Sequence, residues 1–162
     1  MPETEPRPRG AVVTISDACS RGEREDASGA ALRELLGTVA DIREARVIPD
    51  DQALIETTLR ELAAAGMDLI LTTGGTGLGP RDVTPEATLA VVERLVPGLA
   101  EAMRQESLKK TPHAMLSRGV AGVVGRSLIV NMPGSPRAVR ECFAVIVPVL
   151  PHAVYIMAGG GH

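Results

Sequence analysis

The sequence predicts a doubly wound α/β domain, with a mostly parallel sheet, helices on both faces and a small antiparallel excursion. Two observations predict this fold class. Short apolar runs rich in β-branched residues alternate along the chain with longer segments whose apolar residues recur at helical spacing. Several of these short runs are almost continuously apolar, which indicates a sheet covered on both faces rather than one with a solvent-exposed face. The 162 residues are enough for one domain with a full core.

The first half of the chain predicts three strands and two helices in alternation. The predicted strands are 11–16, 42–49 and 67–73, and the predicted helices are 30–39 and 51–66. The third strand, MDLILTT, is a nearly continuous apolar run, which indicates burial on both faces. Because parallel strands need crossover connections, the intervening helices are expected to cover the sheet.

The second half predicts a long helix followed by a β-rich excursion. The helix is expected over about 85–108, with Thr84 as its N-cap and Pro85 in its first position, where a missing N–H costs nothing. The segment 115–134 holds two β-rich runs separated by a Gly-Arg pair. We interpret it as a hairpin-like excursion that returns to a last core strand over 127–133.

The last predicted helix repeats the signal of a cap followed by proline. Ser135 is the expected cap and Pro136 the first helical residue. Pro148 and Pro151 lie further along this helix and are expected to kink it.

The two ends of the chain predict no structure of their own. We expect a flexible tail over residues 1–9, one domain over 10–158 and a flexible end over 159–162. The tail is charged and rich in proline and has no apolar core, so it does not resemble a signal peptide. No apolar run is expected to reach the ~20 residues of a membrane span, so we expect a cytoplasmic protein without a membrane partner.

Composition argues against a nucleic-acid partner. The formal charge is −3, and the chain has one Phe, one Tyr and no Trp, so neither a basic surface nor stacking platforms for bases are expected. Cys19 and Cys142 lack metal-ligand spacing and are expected to be reduced, buried thiols.

Polar or glycine-rich residues follow four of the predicted strands. They are Ser16 and Asp17, Pro49 to Asp51, Gly74 to Asp82, and Asn131 to Ser135. Ligands of open α/β sheets bind beyond the carboxyl ends of the strands. Because helix N-termini follow two of these segments, a ligand that carries phosphate is the simplest expectation.

The glycine loop TTGGTGLGPRDVTPEAT, residues 72–88, matches neither common nucleotide-binding signature. It lacks the ending of a Walker A motif, and Pro80 stands where the third glycine of a dinucleotide fingerprint belongs. The loop could be a phosphate cradle or only a structural turn. Asp82 favours the cradle together with a cation, since a carboxylate beside phosphate repels it unless a cation lies between them.

Asp50 and Asp82 are the two carboxylates that could face one ligand. Either could instead be a helix cap, but Asp51 competes with Asp50 for the cap and leaves one of the pair spare. With a phosphate cradle they suit Mg²⁺ held by one or two carboxylates and substrate phosphates, which is the arrangement of phosphoryl and nucleotidyl transfer. The three histidines have no metal-ligand spacing.

These stretches together resemble a known family. TTGGTGLGPRDVTPEAT, NMPGSPRAV, VIPDD, ISDACSRGEREDASG and TPHAMLSRGVAG are similar to the MogA/MoaB family, which includes the G domain of gephyrin. The likeness runs from about Ala11 to Val154. It implies a molybdopterin-binding α/β domain, usually a homotrimer, that uses Mg²⁺ and ATP to adenylate molybdopterin, releases pyrophosphate and hands its product to a molybdenum insertase.

The resemblance also implies roles for individual residues. Asp50 and Asp82 correspond to the functional carboxylates and to candidate ligands of Mg²⁺. The residues that correspond to the nucleotide or pterin contacts are Gly74, Gly75, Thr76, Gly77, Ser117, Asn131, Pro133, Gly134 and Ser135, with Ser16 and Asp17 as weaker correspondences.

Two other functions stay open at this point. The family contains paralogues resembling MoaB, so the chain could be a carrier that binds molybdopterin without chemistry, although VIPDD with RDVTPEAT looks more like the MogA pattern. A scaffolding role, as in gephyrin, depends on fused segments that this sequence does not contain.

Overall fold

The computed structural model describes residues 6–161, which form a six-stranded sheet with helices on both faces. The strands are β1 (Arg9–Ile15), β2 (Asp41–Ile48), β3 (Leu69–Thr73), β4 (Arg94–Leu95), β5 (Ala121–Val124) and β6 (Ser127–Met132). The helices are α1 (Asp17–Ser20), α2 (Ala27–Leu36), α3 (Gln52–Ala64), α4 (Thr84–Val91), α5 (Pro97–Leu108), α6 (Pro136–Ile146) and α7 (Leu150–Met157). Two 3₁₀ turns, Pro112–Leu116 and Val147–Val149, precede β5 and α7.

The sheet confirms the predicted fold class. Its order is β2-β1-β3-β6-β5-β4, with parallel pairing from β2 to β6 and antiparallel pairing of β5 with β6 and with β4. The antiparallel part is the expected excursion. Because β1, β2, β3 and β6 are parallel, their carboxyl ends meet at one edge, and the segments that follow them are brought together there.

The core lies on both faces of the sheet because alternate residues of each central strand point to opposite sides. In β3, Leu69 and Leu71 pack in one cluster with α2 and α6, while Ile70 packs in the other with α3 and α4. All five residues of β3 are buried, as expected for the continuous apolar run. The edge strand β2 instead alternates exposed with half-buried residues, and its four charged residues discourage pairing of this edge with another chain.

Side-chain caps fix the helices that lead into and out of the carboxyl edge of the sheet. Asp51 accepts a hydrogen bond from the Leu54 N–H at the start of α3 (2.9 Å), so Asp50 is the spare carboxylate of the pair. Ser135 accepts from the Ala138 N–H at the start of α6 (3.2 Å), which confirms the predicted cap. Asp26, which the sequence analysis did not assign, caps α2.

The predicted helix over 85–108 is wrong, because the structure divides this segment into α4, the two-residue strand β4 and α5. Two physical reasons combine. Pro97 disfavours helical backbone at the residue before it and removes a helical hydrogen bond, so one helix cannot run through this position. The chain leaves α4 already at Val91, pairs residues 94–95 with β5 and starts a new helix at Pro97. Thr84 is also not a cap. Its hydroxyl donates to the Gly74 carbonyl (3.0 Å), and α4 begins at Thr84 with no side-chain cap.

Of the two kinks predicted in the last helix, the one at Pro148 is confirmed and the one at Pro151 is wrong. The 3₁₀ turn Val147–Val149, which contains Pro148, separates α6 from α7, whereas Pro151 lies in the first turn of α7, where proline fits.

Among the described residues, Pro136–Met157 is also long and apolar enough to span a membrane, with a mean hydropathy of 1.5, so the expectation of no such run is wrong. In the structure Val139, Phe143 and Ile146 of this stretch pack into the core.

The remaining expectations on the thiols and on the chain ends have mixed outcomes. Cys19 and Cys142 are free, and Cys142 is buried as expected, but Cys19 is only half-buried. The strand β1 begins at Arg9, within the expected tail. Residues 1–5 and 162 lie outside the described residues, so the rest of the predicted ends stays a prediction.

Replacing Leu71 by Ala tests the two-faced core. Leu71 is fully buried, and we expect the free energy of unfolding to fall by about 2–5 kcal/mol, because the lost transfer energy and the cavity add. Leu89→Ala on α4, where the side chain is 47% exposed, should cost less than about 1 kcal/mol. Urea unfolding of both variants measures this. Equal losses would contradict the packing described for β3.

Candidate active site at the carboxyl edge of the sheet

The carboxyl ends of β1, β2, β3 and β6 surround a polar pocket of about 390 Å³. We call it the acidic pocket. Its wall brings together seven of the residues predicted from the sequence: Ser16, Asp50, Gly74, Gly75, Asp82, Gly134 and Ser135. These residues come from four separate segments, and the parallel sheet alone places them side by side.

Gly74 and Gly75 open the glycine loop and allow the backbone to approach the ends of β1 and α4. Gly74 has φ +98° and Gly75 has φ +71°, a conformation that other residues rarely adopt. A Cβ on Gly74 would overlap the carbonyl oxygen of Ile15. A Cβ on Gly75 would overlap the Thr84 hydroxyl and lie 3.2 Å from Oδ1 of Asp50. Glycine is therefore required by this packing, whether or not the loop also holds a ligand.

Asp82 closes the glycine loop on itself. Its Oδ2 accepts a hydrogen bond from the Gly79 N–H (2.9 Å), while Oδ1 accepts none from residues 6–161. One oxygen of this carboxylate thus shapes the loop, and the other remains available to a ligand on the wall of the acidic pocket.

Asp17 and Asp50 bind each other's backbone in a reciprocal pair. The Asp17 N–H donates to Oδ2 of Asp50 (2.9 Å), and the Asp50 N–H donates to Oδ1 of Asp17 (3.0 Å). Arg81, from the glycine loop, donates from Nε and Nη2 to the two oxygens of Asp17 (2.8 and 3.0 Å). The ends of β1, β2 and β3 are thereby joined through one ion pair, and Asp17 serves this link rather than lining the pocket.

The pKa values of the two aspartates in this pair are shifted in opposite directions. The hydrogen bonds from Arg81 and the Asp50 N–H hold the pKa of Asp17 down at about 2. The pKa of Asp50 is raised, chiefly because burial disfavours its charge and further because Asp17 and Asp82 are negative. A cation beside Asp50 would relieve this repulsion. Oδ1 of Asp50 accepts no hydrogen bond within the described part of the chain, so it is open to such a cation.

The donor set fits a magnesium ion that is shared with a substrate, rather than one held by the protein alone. In residues 6–161 no group of three or more His, Cys, Asp or Glu side chains is arranged to hold a metal. Asp50 and Asp82 together offer two carboxylate oxygens without a hydrogen bond. Mg²⁺ is commonly bound by one or two carboxylates together with substrate phosphates, so two such oxygens are consistent with it.

A second pocket, of about 320 Å³, lies on the β6 and β5 side of the glycine loop. We call it the apolar pocket. Five more of the predicted residues line it together with Met103 and Leu116: Thr76, Gly77, Ser117, Asn131 and Pro133. The loop runs from one pocket to the other, since Gly74 and Gly75 face the acidic pocket and the next two residues face the apolar one.

Asn131 touches the apolar pocket, but its side chain has a structural role. It is 2% exposed, its amide nitrogen donates to the hydroxyls of Thr72 (3.1 Å) and Thr88 (3.0 Å), and its oxygen accepts from the Val120 N–H (3.2 Å). These bonds satisfy most of its capacity. The amide ties β6 to β3, α4 and the residue before β5, and so holds these elements together beside the apolar pocket.

Arg118 is a residue that the sequence analysis missed. Its guanidinium donates to the carbonyls of Gly77 and Asp82 (2.7 Å each) and pairs with Glu86, and its own N–H donates to the Thr76 carbonyl (2.9 Å). One side chain thus closes the glycine loop against α4. The signal in the sequence was weak, because an arginine in the stretch MLSRG also suits an exposed loop.

Known proteins are similar to this chain over most of its length. Residues 11–152 match the family model described as "probable molybdopterin binding domain". The chain belongs to the MogA/MoaB family. A molybdopterin adenylyltransferase of Helicobacter pylori (strain J99) is 41% identical over 152 residues, which cover 91% of this chain and 86% of that one.

Two further relatives show how widely this domain is used. The crystal structure of the molybdopterin biosynthesis enzyme MoaB from Thermus thermophilus is 51% identical, with a TM-score of 0.88 over 93% of this chain and 96% of that one. The molybdenum cofactor synthesis protein cinnamon of Drosophila melanogaster is 46% identical over 90% of this chain. The chain spans only 25% of the length of the Drosophila protein.

Replacing Gly74 by Ala tests the close approach in the glycine loop. We expect a loss of more than about 2 kcal/mol in the free energy of unfolding, because alanine disfavours positive φ and its methyl group would overlap the Ile15 carbonyl. Gly98→Ala is the matched control. Gly98 lies in α5 with open space around it, so its replacement should be neutral or slightly stabilising. Chemical unfolding that shows both variants equally stable would refute the geometry.

Acid unfolding tests the ion pair of Asp17. Because its folded pKa of about 2 lies below the ordinary value of 3.8, Asp17 stabilises the fold above about pH 4, and this contribution disappears as the pH falls through about 2. The melting temperature of Asp17→Asn should therefore fall less between about pH 5 and pH 2 than that of the parent chain. Parallel curves for the two proteins would exclude a charged Asp17–Arg81 pair as a source of stability.

Proposed function

We propose that this chain adenylates molybdopterin with ATP and Mg²⁺ and releases pyrophosphate, as a step of molybdenum cofactor biosynthesis. The observation that carries the proposal is the meeting of two different pockets at one glycine loop. A transfer between two substrates needs both to be held with their reacting atoms adjacent. The names of the relatives with this domain support the choice of molybdopterin and of adenylation.

The two pockets suit the two substrates differently. The acidic pocket, with Asp50, Asp82 and the start of α6, suits the triphosphate of ATP together with its cation. The apolar pocket, with Met103 and Leu116 on its wall and Ser117 beside them, suits the pterin ring. The terminal phosphate of molybdopterin and the α-phosphate of ATP would then meet beside the glycine loop, where the two pockets adjoin.

The proposed step is a direct substitution at phosphorus. An oxygen of the molybdopterin phosphate forms a bond to the α-phosphorus of ATP, and the bond from that phosphorus to the bridging oxygen of the β-phosphate breaks, with its electron pair leaving on pyrophosphate. The attacking phosphate is already an anion, so no strong general base is required. The residues of the chain align the phosphates and balance their charge.

Asp50 and Asp82 are the residues that would hold Mg²⁺, through the oxygens that accept no hydrogen bond from the described residues. The ion would supply positive charge to the triphosphate and to the departing pyrophosphate. Arg118 and Arg81 act on the chain itself. Arg118 fixes the loop between the pockets, and Arg81 holds Asp17 against the backbone of Asp50.

A carrier that binds molybdopterin without chemistry is the second candidate. The observation that favours it is that the apolar pocket and the glycine loop form a site for a pterin and its phosphate that is separate from the acidic pocket. The two candidates differ in what the acidic pocket does. A carrier needs only the apolar pocket and the glycine loop, whereas adenylation needs the carboxylates as well.

We also propose a cytoplasmic homotrimer that passes its product to a separate insertase and has no nucleic-acid or membrane partner. Exposed Val149 and Tyr155 near α7 offer apolar surface for contact between copies. The Drosophila relative, four times longer than the region it shares with this chain, supports a link between this domain and a further unit. The net charge of −3 supports the exclusion of nucleic acid.

The neighbours Asp50 and Asp51 offer a matched test of the adenylation. In Asp50→Asn we expect pyrophosphate release from ATP, with molybdopterin and Mg²⁺ present, to fall about a hundredfold or more, because Mg²⁺ loses a charged oxygen ligand beside the triphosphate. Asp51→Asn removes the same charge one residue away, outside the pocket. It should keep the rate within about threefold while weakening the cap of α3 by up to about 1 kcal/mol.

Molybdopterin binding by the same proteins, followed in a titration, separates the two candidate functions. The adenylation proposal expects Asp50→Asn to bind molybdopterin nearly as tightly as the parent chain, since Asp50 faces the other pocket. Tight molybdopterin binding by the parent chain without any pyrophosphate would make the protein a carrier.

A further inference from the structure

Arg24 is the only cationic side chain among the described residues that line the acidic pocket. The other charged groups on that wall are Asp50, Asp82 and Glu25, so the pocket is negative apart from this arginine. A triphosphate carries several negative charges, and a pocket with three carboxylates would repel it without positive partners. Arg24 is therefore the protein's own positive charge in the place where the proposed function puts phosphates.

The environment of Arg24 leaves its charge available. Nη2 donates to the hydroxyl of Ser16 (3.2 Å), and no carboxylate of residues 6–161 forms an ion pair with it, although Glu23 and Glu25 are its neighbours in the chain. Arg21, three residues earlier in the same loop, is instead neutralised by Glu23 through two hydrogen bonds (2.9 and 3.0 Å). The loop thus holds one arginine that is paired and one that is tethered but unpaired.

The tether places Arg24 at the end of β1, away from the apolar pocket. In the sheet, β3 lies between β1 and β6, so the ends of β1 and β6 are two strand spacings, or about 10 Å, apart. The pockets meet beside β3 and β6, where the α-phosphate of ATP must lie to be attacked. The phosphates that reach Arg24 are then those further from the point of attack.

We propose that Arg24 binds the β- and γ-phosphates of ATP and so holds the pyrophosphate leaving group. This rests on the proposed function. A guanidinium forms two parallel hydrogen bonds with phosphate oxygens and carries a full positive charge, which no other side chain on the described wall of this pocket supplies. Arg24 would also stabilise the charge that pyrophosphate gains as its bond to the α-phosphorus breaks. The residue thereby selects a nucleotide triphosphate over a monophosphate.

The test compares ATP with AMP and Arg24 with Arg21. Calorimetric titrations of the full chain, with Mg²⁺ and without molybdopterin, measure the dissociation constants of both nucleotides for the parent chain, Arg24→Ala and Arg21→Ala. We expect Arg24→Ala to weaken ATP binding about tenfold or more and to change AMP binding by less than about twofold, since the lost bonds are to charged groups. Arg21→Ala removes the same charge from the same loop and should leave both constants within about twofold.

Each other outcome overturns the inference in a recognisable way. Equal weakening of ATP and AMP would mean that Arg24 supports the pocket as a whole. Unchanged ATP binding in Arg24→Ala, or an equal loss in Arg21→Ala, would mean that Arg24 contributes only general charge or none. If the parent chain itself binds neither nucleotide, the proposed adenylation fails together with this inference. Thermal unfolding of the two variants, expected within about 2 °C of each other, shows that folding does not explain a difference.

Discussion

The close approach of the glycine loop to the end of β1 is the constraint on which the rest of the site depends. Gly74 lies against the Ile15 carbonyl, so a side chain there would push the ends of β1 and β3 apart. Gly75 lies against the Thr84 hydroxyl and near Asp50, so a side chain there would displace the start of α4 and crowd Asp50. The hydroxyl of Thr84 returns to the Gly74 carbonyl, and Arg118 closes the far end of the loop. Two glycines thereby let four strand ends share one pocket.

Charge is the second constraint, and it follows from the first. The close packing places Asp17, Asp50 and Asp82 at one edge, and Arg81 neutralises only the first of them. Asp50, half-buried and facing the pocket, is left without a compensating cation. A site built in this way favours a ligand that brings its own positive charge, as a nucleotide does with Mg²⁺. The same imbalance gives Arg24 its importance, because it is the positive side chain on that wall.

The sequence predicted the fold class, and it selected most of the residues that the structure brings together on the walls of the two pockets, because both depend on local signals that the fold preserves. The alternation of apolar runs with helical segments identified the parallel sheet, and the rule on strand ends then selected the segments that contain Asp50, Gly74 and Asp82. Local sequence alone left open whether Asp50 or Asp51 caps α3. The choice needed the structure, in which the Asp51 carboxylate caps α3.

The errors and omissions have a common physical origin in contacts between distant parts of the chain. Thr84 has the composition of a cap, but its hydroxyl bonds to a carbonyl ten residues away. The break before Pro97 depends on whether β4 finds a place beside β5, which local propensity does not reveal. Arg118 holds the glycine loop through a partner more than ten residues away in sequence. Asn131, whose structural role the sequence did not reveal, ties β6 to β3 in the same way.

The destination of each phosphate of ATP tests the central claim most directly. Purified protein would be incubated with molybdopterin, Mg²⁺ and ATP labelled either at the α- or at the γ-phosphate, and the products separated. The account predicts that the α-label appears in molybdopterin and that the γ-label appears only in pyrophosphate. A γ-label in molybdopterin would show phosphorylation instead of adenylation, and the absence of both labels from bound molybdopterin would show a carrier. Either result would contradict the function assigned to the two pockets.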